Sequence, residues 1–124
     1  LIRSLQGNRS FGMTPGEQTR DFLYIDDLIH AILRVPPSRP SRGNIINIGS
    51  GIPTRILDVA HLAERLMDKK NLVKPGQIPY RENEIMDYYV NIDKAKKILL
   101  WKPEIPLHTG LKRTIDYYHE VLNR

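Results

Sequence analysis

The 124-residue sequence contains no cysteine, so neither a disulfide framework nor a thiolate zinc site can form. That absence is compatible with a reducing compartment, and we expect a cytoplasmic location. No apolar run approaches the roughly 20 residues that cross a bilayer, and no signal peptide is recognisable. The sequence therefore predicts a soluble chain without a membrane partner.

The sequence also lacks the familiar catalytic and cofactor signatures. There is no GxGxxG or GxxGxxG turn to hold the phosphates of a dinucleotide, and no GxSxG nucleophile motif. None of the six tyrosines is followed by a lysine four residues later. The four histidines lack the spacing of metal ligands and are interpreted as surface or helix-face residues: His30, His61, His108 and His119. From its own residues, the chain is predicted to hold no catalytic group, cofactor or metal.

What the sequence does have is the composition of one globular domain, which we place at residues 1–124. Hydrophobic residues make up 40% and charged residues 27%, and a chain of this length buries roughly two thirds of its unfolded surface. Nineteen lysines and arginines against fourteen acidic residues give a net charge of +5. That balance favours anionic partners, so a nucleic acid, a phosphorylated metabolite and a merely solvated basic surface all remain open.

Hydrophobic spacing predicts an α/β fold in which helices dominate. Strands or extended pieces are expected at residues 9–14, 22–25, 44–48 and 78–81. Helices are expected from Asp26 to just before Pro36, from Thr54 through Met67, around Ala95 to Leu99, and from Leu107 to Leu122. Residues 1–7 have the pattern of the last turns of a helix that begins outside this chain.

Two arginines are candidates for binding an anion. Arg20 follows a glycine-containing turn at the edge of an apolar segment, and Arg81 lies in the polar stretch PYRENE. A guanidinium is a planar fork that matches two phosphate oxygens, so two such groups could clamp a diphosphate. The alternative, which spacing alone favours, is that each arginine pairs with an acidic neighbour in sequence: Asp21 or Asp26 for Arg20, and Glu82 or Glu84 for Arg81.

The turn GSG at residues 49–51 has two interpretations. It lets the backbone approach a ligand near the start of a helix, where anions are favoured. More often such a turn only connects a strand to a helix. A single GSG is therefore weak evidence for a ligand site.

Four segments in this order resemble one known family: GEQTRDFLYIDDLIHAI, NIINIGSG, PYRENEIMDYYVNIDKAKKILLWKP and PLHTGLKRTIDYY. The chain is similar, over nearly its whole length, to the C-terminal part of the NAD-dependent nucleotide-sugar epimerases and dehydratases, which are extended short-chain dehydrogenases. The resemblance implies a small, helix-rich substrate-binding domain that lacks the Rossmann domain on which it normally packs. In the family that missing domain binds NAD or NADP and holds the catalytic Tyr/Lys pair, so this chain alone is expected to be inactive and without cofactor.

The resemblance also implies roles for individual residues. Six are expected at the substrate: Arg20 and Arg81 at the pyrophosphate, Asn47 near the phosphates, Glu84 at the ribose hydroxyls, Met13 beside the base, and Gln18 at the ribose or base. Asp21 is expected to fix the direction of the Arg20 fork. Asp26 and Asp27 are interpreted as helix capping and solvated surface, and Trp101 as an anchor of its short helix.

The expected function is therefore binding of the nucleotide-diphosphate part of a sugar nucleotide, within an epimerase or 4,6-dehydratase of carbohydrate biosynthesis. One alternative is a free-standing, non-catalytic nucleotide-binding module. Another is a basic nucleic-acid binder, which the scattered basic residues and helical tyrosines disfavour. Apolar surface normally covered by the Rossmann domain is expected to make the chain self-associate as a homo-oligomer.

Overall fold

A computed structural model describes residues 1–122, and within that range the chain forms five α-helices and five short strands. The helices are α1 (Ile2–Gln6), α2 (Ile25–Arg34), α3 (Ile56–Leu66), α4 (Asp93–Ile98) and α5 (Leu107–Leu122). The strands are β1 (Phe11–Gly12), β2 (Thr19–Asp21), β3 (Pro53–Arg55), β4 (Val73–Lys74) and β5 (Asp87–Tyr88). A 3-10 turn, Arg39–Ser41, lies in the loop after α2. The predicted small, helix-rich α/β fold is confirmed.

The strands form two small sheets. In one, β1 pairs with β4 in parallel. In the other, β2 is the central strand, antiparallel to β3 and parallel to β5. The central position of β2 places Arg20 opposite Thr54 on one side and Tyr88 on the other. The backbone of Arg20 is thus fixed from both sides, which gives its side chain a defined starting point.

Several predicted strands are wrong in position. The strand expected at residues 22–25 lies earlier, at Thr19–Asp21, because pairing with β3 and β5 determines it rather than the apolar run. Residues 44–48 pair with no strand among residues 1–122, although Ile46 and Ile48 pack against the core while Ile45 is exposed. The extended piece expected at residues 78–81 is not a strand, and β5 follows it instead.

The start of α2 also differs from the prediction. The helix begins at Ile25, after Tyr24, so Asp26 lies in its first turn rather than at its cap. Asp27 is 1% exposed, and its two carboxylate oxygens accept hydrogen bonds from the amides of Glu104 (3.1 Å) and Ile105 (2.9 Å). The interpretation of Asp27 as solvated surface was therefore wrong. The loop before α5 has backbone amides that pair with no strand, and the buried carboxylate of Asp27 accepts hydrogen bonds from two of them.

Three clusters of buried side chains form the core. They are Ala31, Ile92, Ala95, Leu99 and Trp101; Leu5, Ala63 and Ile115; and Met13, Ala60 and Val73. Trp101 is 3% exposed and its indole N–H donates to the carbonyl of Asp27 at 3.1 Å, which confirms its predicted role as an anchor. None of the helices in residues 1–122 is long and apolar enough to cross a membrane. That part of the chain also contains no group of three or more His, Asp or Glu residues placed to hold a metal ion.

Candidate functional site

Arg20 is held in one orientation by three hydrogen bonds. Its Nη1 donates to the carbonyl oxygens of Thr19 (2.7 Å) and Ile85 (2.8 Å), and its Nη2 donates to Oε1 of Glu84 (2.5 Å). A guanidinium has five N–H donors, so Nε–H and one Nη2–H are left without a partner in the described residues. The side chain is 29% exposed. Arg20 is therefore oriented in advance while two of its donors remain available.

The ion pair of Arg20 joins segments that are 64 residues apart in the chain. Both local alternatives for Arg20, Asp21 and Asp26, are wrong: Asp21 binds backbone amides, and Asp26 pairs with Arg113 at 3.5 Å. Glu84 pairs with Arg20 and not with Arg81. Glu82, the other neighbour proposed for Arg81, does not pair with Arg81 in residues 1–122.

Arg81 stands at the start of the turn that carries Glu84. The amide of Glu84 donates to the carbonyl of Arg81 at 3.1 Å, and the Arg81 side chain is exposed. Its guanidinium makes no ion pair with any residue that the structure describes. We call Arg20, Arg81 and Glu84 the arginine rim: one oriented arginine, one unpaired arginine, and the carboxylate that links the turn of the second to the first.

The loop before β2 is tied to the same region. The amide of Glu17 donates to the hydroxyl oxygen of Tyr80 at 2.9 Å, and the hydroxyl of Thr19 donates to Asp87 at 2.8 Å. Gly16 has φ +82°, and a Cβ there would lie 2.8 Å from that of Leu57, so this turn requires glycine. Tyr80 was missed by sequence reasoning because its partner is 63 residues away.

Gln18 and Met13 are both buried in this loop. Gln18 is 8% exposed, its Nε2 donates to the hydroxyl of Thr14 at 3.1 Å, and its Oε1 has no partner in residues 1–122. Met13 is 5% exposed and packs with Ala60 and Val73. The side chain of Met13 thus belongs to the core of this structure. Its expected place beside a base, like the ligand contact of Gln18, stays a prediction.

Asp21 binds the GSG turn instead of Arg20. Its Oδ1 accepts from the amide and the hydroxyl of Ser50, both at 2.6 Å, and its Oδ2 accepts from the amides of Gly51 (3.0 Å) and Val90 (3.3 Å). A Cβ on Gly49 would lie 2.6 Å from Oδ2, so that position needs glycine. The expectation that Asp21 directs the Arg20 fork was wrong. The two turn amides that an anionic ligand could have used are already occupied by a carboxylate of the protein.

The pKa of Asp21 reflects this environment. Burial by itself raises the pKa of a carboxyl group. The hydrogen bonds from the hydroxyl and amide of Ser50 and the amides of Gly51 and Val90 outweigh that effect, and they hold the pKa of Asp21 below its usual value. Asp21 is therefore a charged, structural group that fixes the GSG turn against β2.

Asn47 is not joined to the arginine rim. Its side chain is exposed and hydrogen-bonds to nothing in the described part of the chain. It lies two residues before the turn that Asp21 holds, which limits where its backbone can move. Its expected place near phosphates stays a prediction.

Comparisons with known proteins agree with this fold. The model of the NAD dependent epimerase/dehydratase family matches residues 1–49. UDP-glucuronate 4-epimerase of Thermodesulfobacterium geofontis is 37% identical over 106 residues, which are 85% of this chain and 32% of that protein. UDP-glucuronic acid decarboxylase 1 of Danio rerio is 30% identical over 122 residues, which are 98% of this chain and 28% of that protein.

Among solved structures, the chain is similar to the UDP-glucuronic acid 4-epimerase of Bacillus cereus in complex with UDP-glucuronic acid and NAD. The TM-score is 0.85 at 28% identity, covering 98% of this chain and 38% of that one. An α/β fold with an oriented arginine, and with an unpaired arginine in the turn that carries the carboxylate partner of the first, suits a protein for anionic ligands. More particularly, the chain belongs to the NAD-dependent epimerase/dehydratase family. It spans about a third of the length of the two curated relatives named above, at 32% and 28%.

Proposed function

We propose that this chain is the C-terminal, substrate-binding portion of an NAD- or NADP-dependent nucleotide-sugar epimerase or 4,6-dehydratase. Its task is to grip the nucleotide diphosphate of the sugar donor. The observation that carries the proposal is the arginine rim, in which Arg20 keeps two donors free beside the turn of the unpaired Arg81. A diphosphate has oxygens that both guanidinium groups can bind in pairs.

The remaining site residues take supporting roles in this proposal. Glu84 accepts a hydrogen bond from a ribose hydroxyl, because its Oε2 has no partner in residues 1–122. Gln18 Oε1 also lacks a partner there but is buried, so Gln18 would contact the ribose or the base only after the loop around it opens. Asn47 is exposed and would approach the phosphates from the other segment. The Met13 side chain is buried, so Met13 would help to bind the base of the nucleotide by holding the loop in place and not by direct contact.

The residues described here do not fit a dinucleotide cofactor. The sequence has no GxGxxG turn, and the amides of Ser50 and Gly51 are taken by Asp21. We therefore derive no step through NAD from this chain. In the proposal the cofactor and the catalytic residues belong to a Rossmann domain, and the exposed aliphatic side chains of α2 and of Ile45 form part of the surface on which that domain packs.

A thermal-shift panel tests the proposal. Nucleoside diphosphates and diphosphate-sugars of the common bases are compared with NAD and with a short DNA duplex. A ligand at about 100 times its Kd adds roughly 2.7 kcal/mol, which for a domain of this size raises Tm by about 4 to 8 °C. We expect such a rise with one nucleoside diphosphate and none with NAD or DNA.

Variants assign the effect to the rim. Arg20→Ala and Arg81→Ala are expected to remove the shift, and Arg81→Ala does so without a folding penalty because its side chain is exposed and unpaired in the described residues. Arg42→Ala is the matched control, since Arg42 is also exposed and lies in the distant loop after α2. The absence of a shift with every nucleotide, or a shift that persists in Arg81→Ala, contradicts the proposed function.

A further inference from the structure

Arg81 lies in a connecting segment whose two ends are fixed. At the first end, the amide of Ile78 donates to a carbonyl of the loop before β2 at 3.2 Å. At the second end, Arg20 donates to the side chain of Glu84 and so holds the turn that Arg81 begins. Residues 79–83 between these points belong to no helix or strand, and most of them are exposed. The direction of the Arg81 side chain therefore depends on what holds this segment between its ends.

Tyr80, the residue before Arg81, ties the segment to the loop before β2. Its side chain is half-buried, and its hydroxyl oxygen accepts a hydrogen bond from the amide of Glu17 at 2.9 Å, across 63 residues of chain. Residues 79–83 make no other hydrogen bond to that loop within residues 1–122. The hydroxyl of Tyr80 is thus the polar contact that holds the middle of the segment in place.

The loop that receives Tyr80 is itself held by α3. The carbonyl oxygens on both sides of Glu17, those of Gly16 and Gln18, accept hydrogen bonds from the first two amides of α3 at 3.0 and 3.1 Å. The amide of Glu17 is therefore a fixed donor. Tyr80 connects a segment that has few contacts of its own to a part of the chain that a helix holds in position.

We propose that Tyr80 is a positioning residue for Arg81, which it holds where a nucleoside diphosphate binds. This inference rests on the proposed function and adds to it a residue that acts through Arg81 and does not itself bind the ligand. Without the hydroxyl, residues 79–83 sample more conformations, and the ligand has to order them when it binds. Holding a binding group in place before the ligand arrives avoids that loss of affinity.

A titration of the 124-residue chain with UDP, followed by nuclear magnetic resonance, tests this role. Tyr80→Phe keeps the ring and removes the hydroxyl, so we expect it to weaken UDP binding about fivefold. Tyr117→Phe is the matched control. Tyr117 lies on α5, and its hydroxyl makes no hydrogen bond with residues 1–122, so its removal should change the Kd of UDP by less than about twofold.

A double-mutant cycle separates positioning of Arg81 from other effects of Tyr80. Arg81→Lys keeps the charge but replaces the planar fork by a flexible point charge, whose binding depends less on direction. In the Arg81→Lys background, Tyr80→Phe is therefore expected to weaken UDP binding by less than about twofold. An effect of full size in that background would show that Tyr80 does not act through Arg81, and it would overturn the inference.

Hydrogen exchange of the Glu17 amide measures the contact directly. The Tyr80 hydroxyl protects this amide in the unchanged chain, so its exchange should become several times faster in Tyr80→Phe. A merely structural role of the ring would leave this rate unchanged, because phenylalanine keeps the ring. An unchanged exchange rate overturns the inference even where the affinity for UDP falls.

The outcomes distinguish this inference from the function on which it rests. UDP binding that is lost in Arg81→Ala but unchanged in Tyr80→Phe overturns the role of Tyr80 and leaves the proposed function standing. If the chain binds neither UDP nor any other nucleoside diphosphate, the proposed function fails and this inference fails with it.

Discussion

Arg20 and Asp21 are neighbours in sequence but act on opposite sides of β2. Side chains of successive strand residues point to opposite faces, so Arg20 reaches Glu84 while Asp21 reaches the GSG turn. The two residues are therefore poorly placed to pair with each other. Once β2 is located, this alternation predicts the separation of their roles, which the sequence reasoning overlooked because it placed the strand three residues too late.

Asp21→Asn is expected to destabilise the protein by about 1 to 3 kcal/mol at neutral pH, because charge-assisted hydrogen bonds to Ser50, Gly51 and Val90 weaken or are lost. The pKa of Asp21 is lowered in the folded state. Its stabilising contribution is therefore complete above the usual aspartate pKa of about 3.9 and is lost as the pH falls through the lower, folded value. Urea unfolding of both proteins across this range measures the effect.

The free energies of unfolding of the unchanged protein and of Asp21→Asn should become more similar as the solution becomes acidic. Asp58→Asn serves as the control, since within residues 1–122 the Asp58 side chain makes just an exposed ion pair with Arg55 and is itself 51% exposed. A pH-independent difference for Asp21→Asn would show that the loss comes from packing and not from the charge.

Leu100 is strained in a way that a single substitution can relieve. It follows the end of α4 with φ +51°, a left-handed conformation that is unfavourable in free energy for any residue with a Cβ. Its side chain is 78% exposed. Leu100→Gly removes the strain and loses little packing, so we expect a gain of about 1 kcal/mol in the free energy of unfolding.

The matched control for Leu100 is Asn71→Gly. Asn71 has a similar φ of +57°, but asparagine tolerates this conformation, so its replacement should change stability by only a few tenths of a kcal/mol. Equal effects of the two substitutions, measured by urea unfolding, would contradict the strain argument.

At the scale of the elements, local periodicity predicted the helices well and the strands poorly. α4 and α5 were expected where they occur, because their apolar residues repeat at helical spacing within one segment. β5 was missed because both of its residues are exposed and show no alternation. The strands here are two or three residues long, so distant pairing defines them and their own sequence does not.

The three residues of the arginine rim could be named as candidates from the sequence, but the contacts between them could not. Arg20, Arg81 and Glu84 were each singled out, Arg20 and Arg81 from residue type and position and all three from the family resemblance. That Glu84 holds Arg20 follows from the parallel pairing of β2 with β5, across more than 60 residues of chain. No local signal in the sequence reports such a contact.

Asp27 connects α2 to the loop before α5, and replacing it should lower the free energy of unfolding. Its carboxylate joins α2 to the loop before α5 through the amides of Glu104 and Ile105. Asp27→Ala leaves both amides without this partner in a buried region, so we expect a loss of about 2 to 4 kcal/mol in urea unfolding. Asp27→Asn keeps one carbonyl oxygen as acceptor and should lose less.

The neighbouring residue provides the control for Asp27. Among the contacts of residues 1–122, Asp26→Ala removes an ion pair with Arg113 in which the side chains of Asp26 and Arg113 are 47% and 50% exposed. A change within about 1 kcal/mol is therefore expected. Equal losses for the two alanine variants would show that the amide contacts of Asp27 are not what stabilises this junction.

At the scale of the whole molecule, α2 is turned so that its aliphatic stripe faces outward. Asp27 and Ala31 are the buried residues of the helix. The large aliphatic side chains on its exposed surface are Ile25, Ile29, Ile32 and Leu33. Such a continuous apolar surface is unusual for a monomer and marks a contact surface. In the proposed parent enzyme a Rossmann domain covers it, and in this chain alone a second copy is the available cover.

The chain is therefore expected to self-associate through α2. Its mass, measured by light scattering, should rise with concentration. Ile29→Lys combined with Ile32→Lys should restore the monomer mass, because two charges on the α2 stripe disfavour its burial. Val121→Lys is the control, since Val121 is an exposed apolar residue on another helix, α5. A chain that stays monomeric at high concentration, or an association that the α2 variant leaves intact, would mean that this stripe does not drive contact between copies.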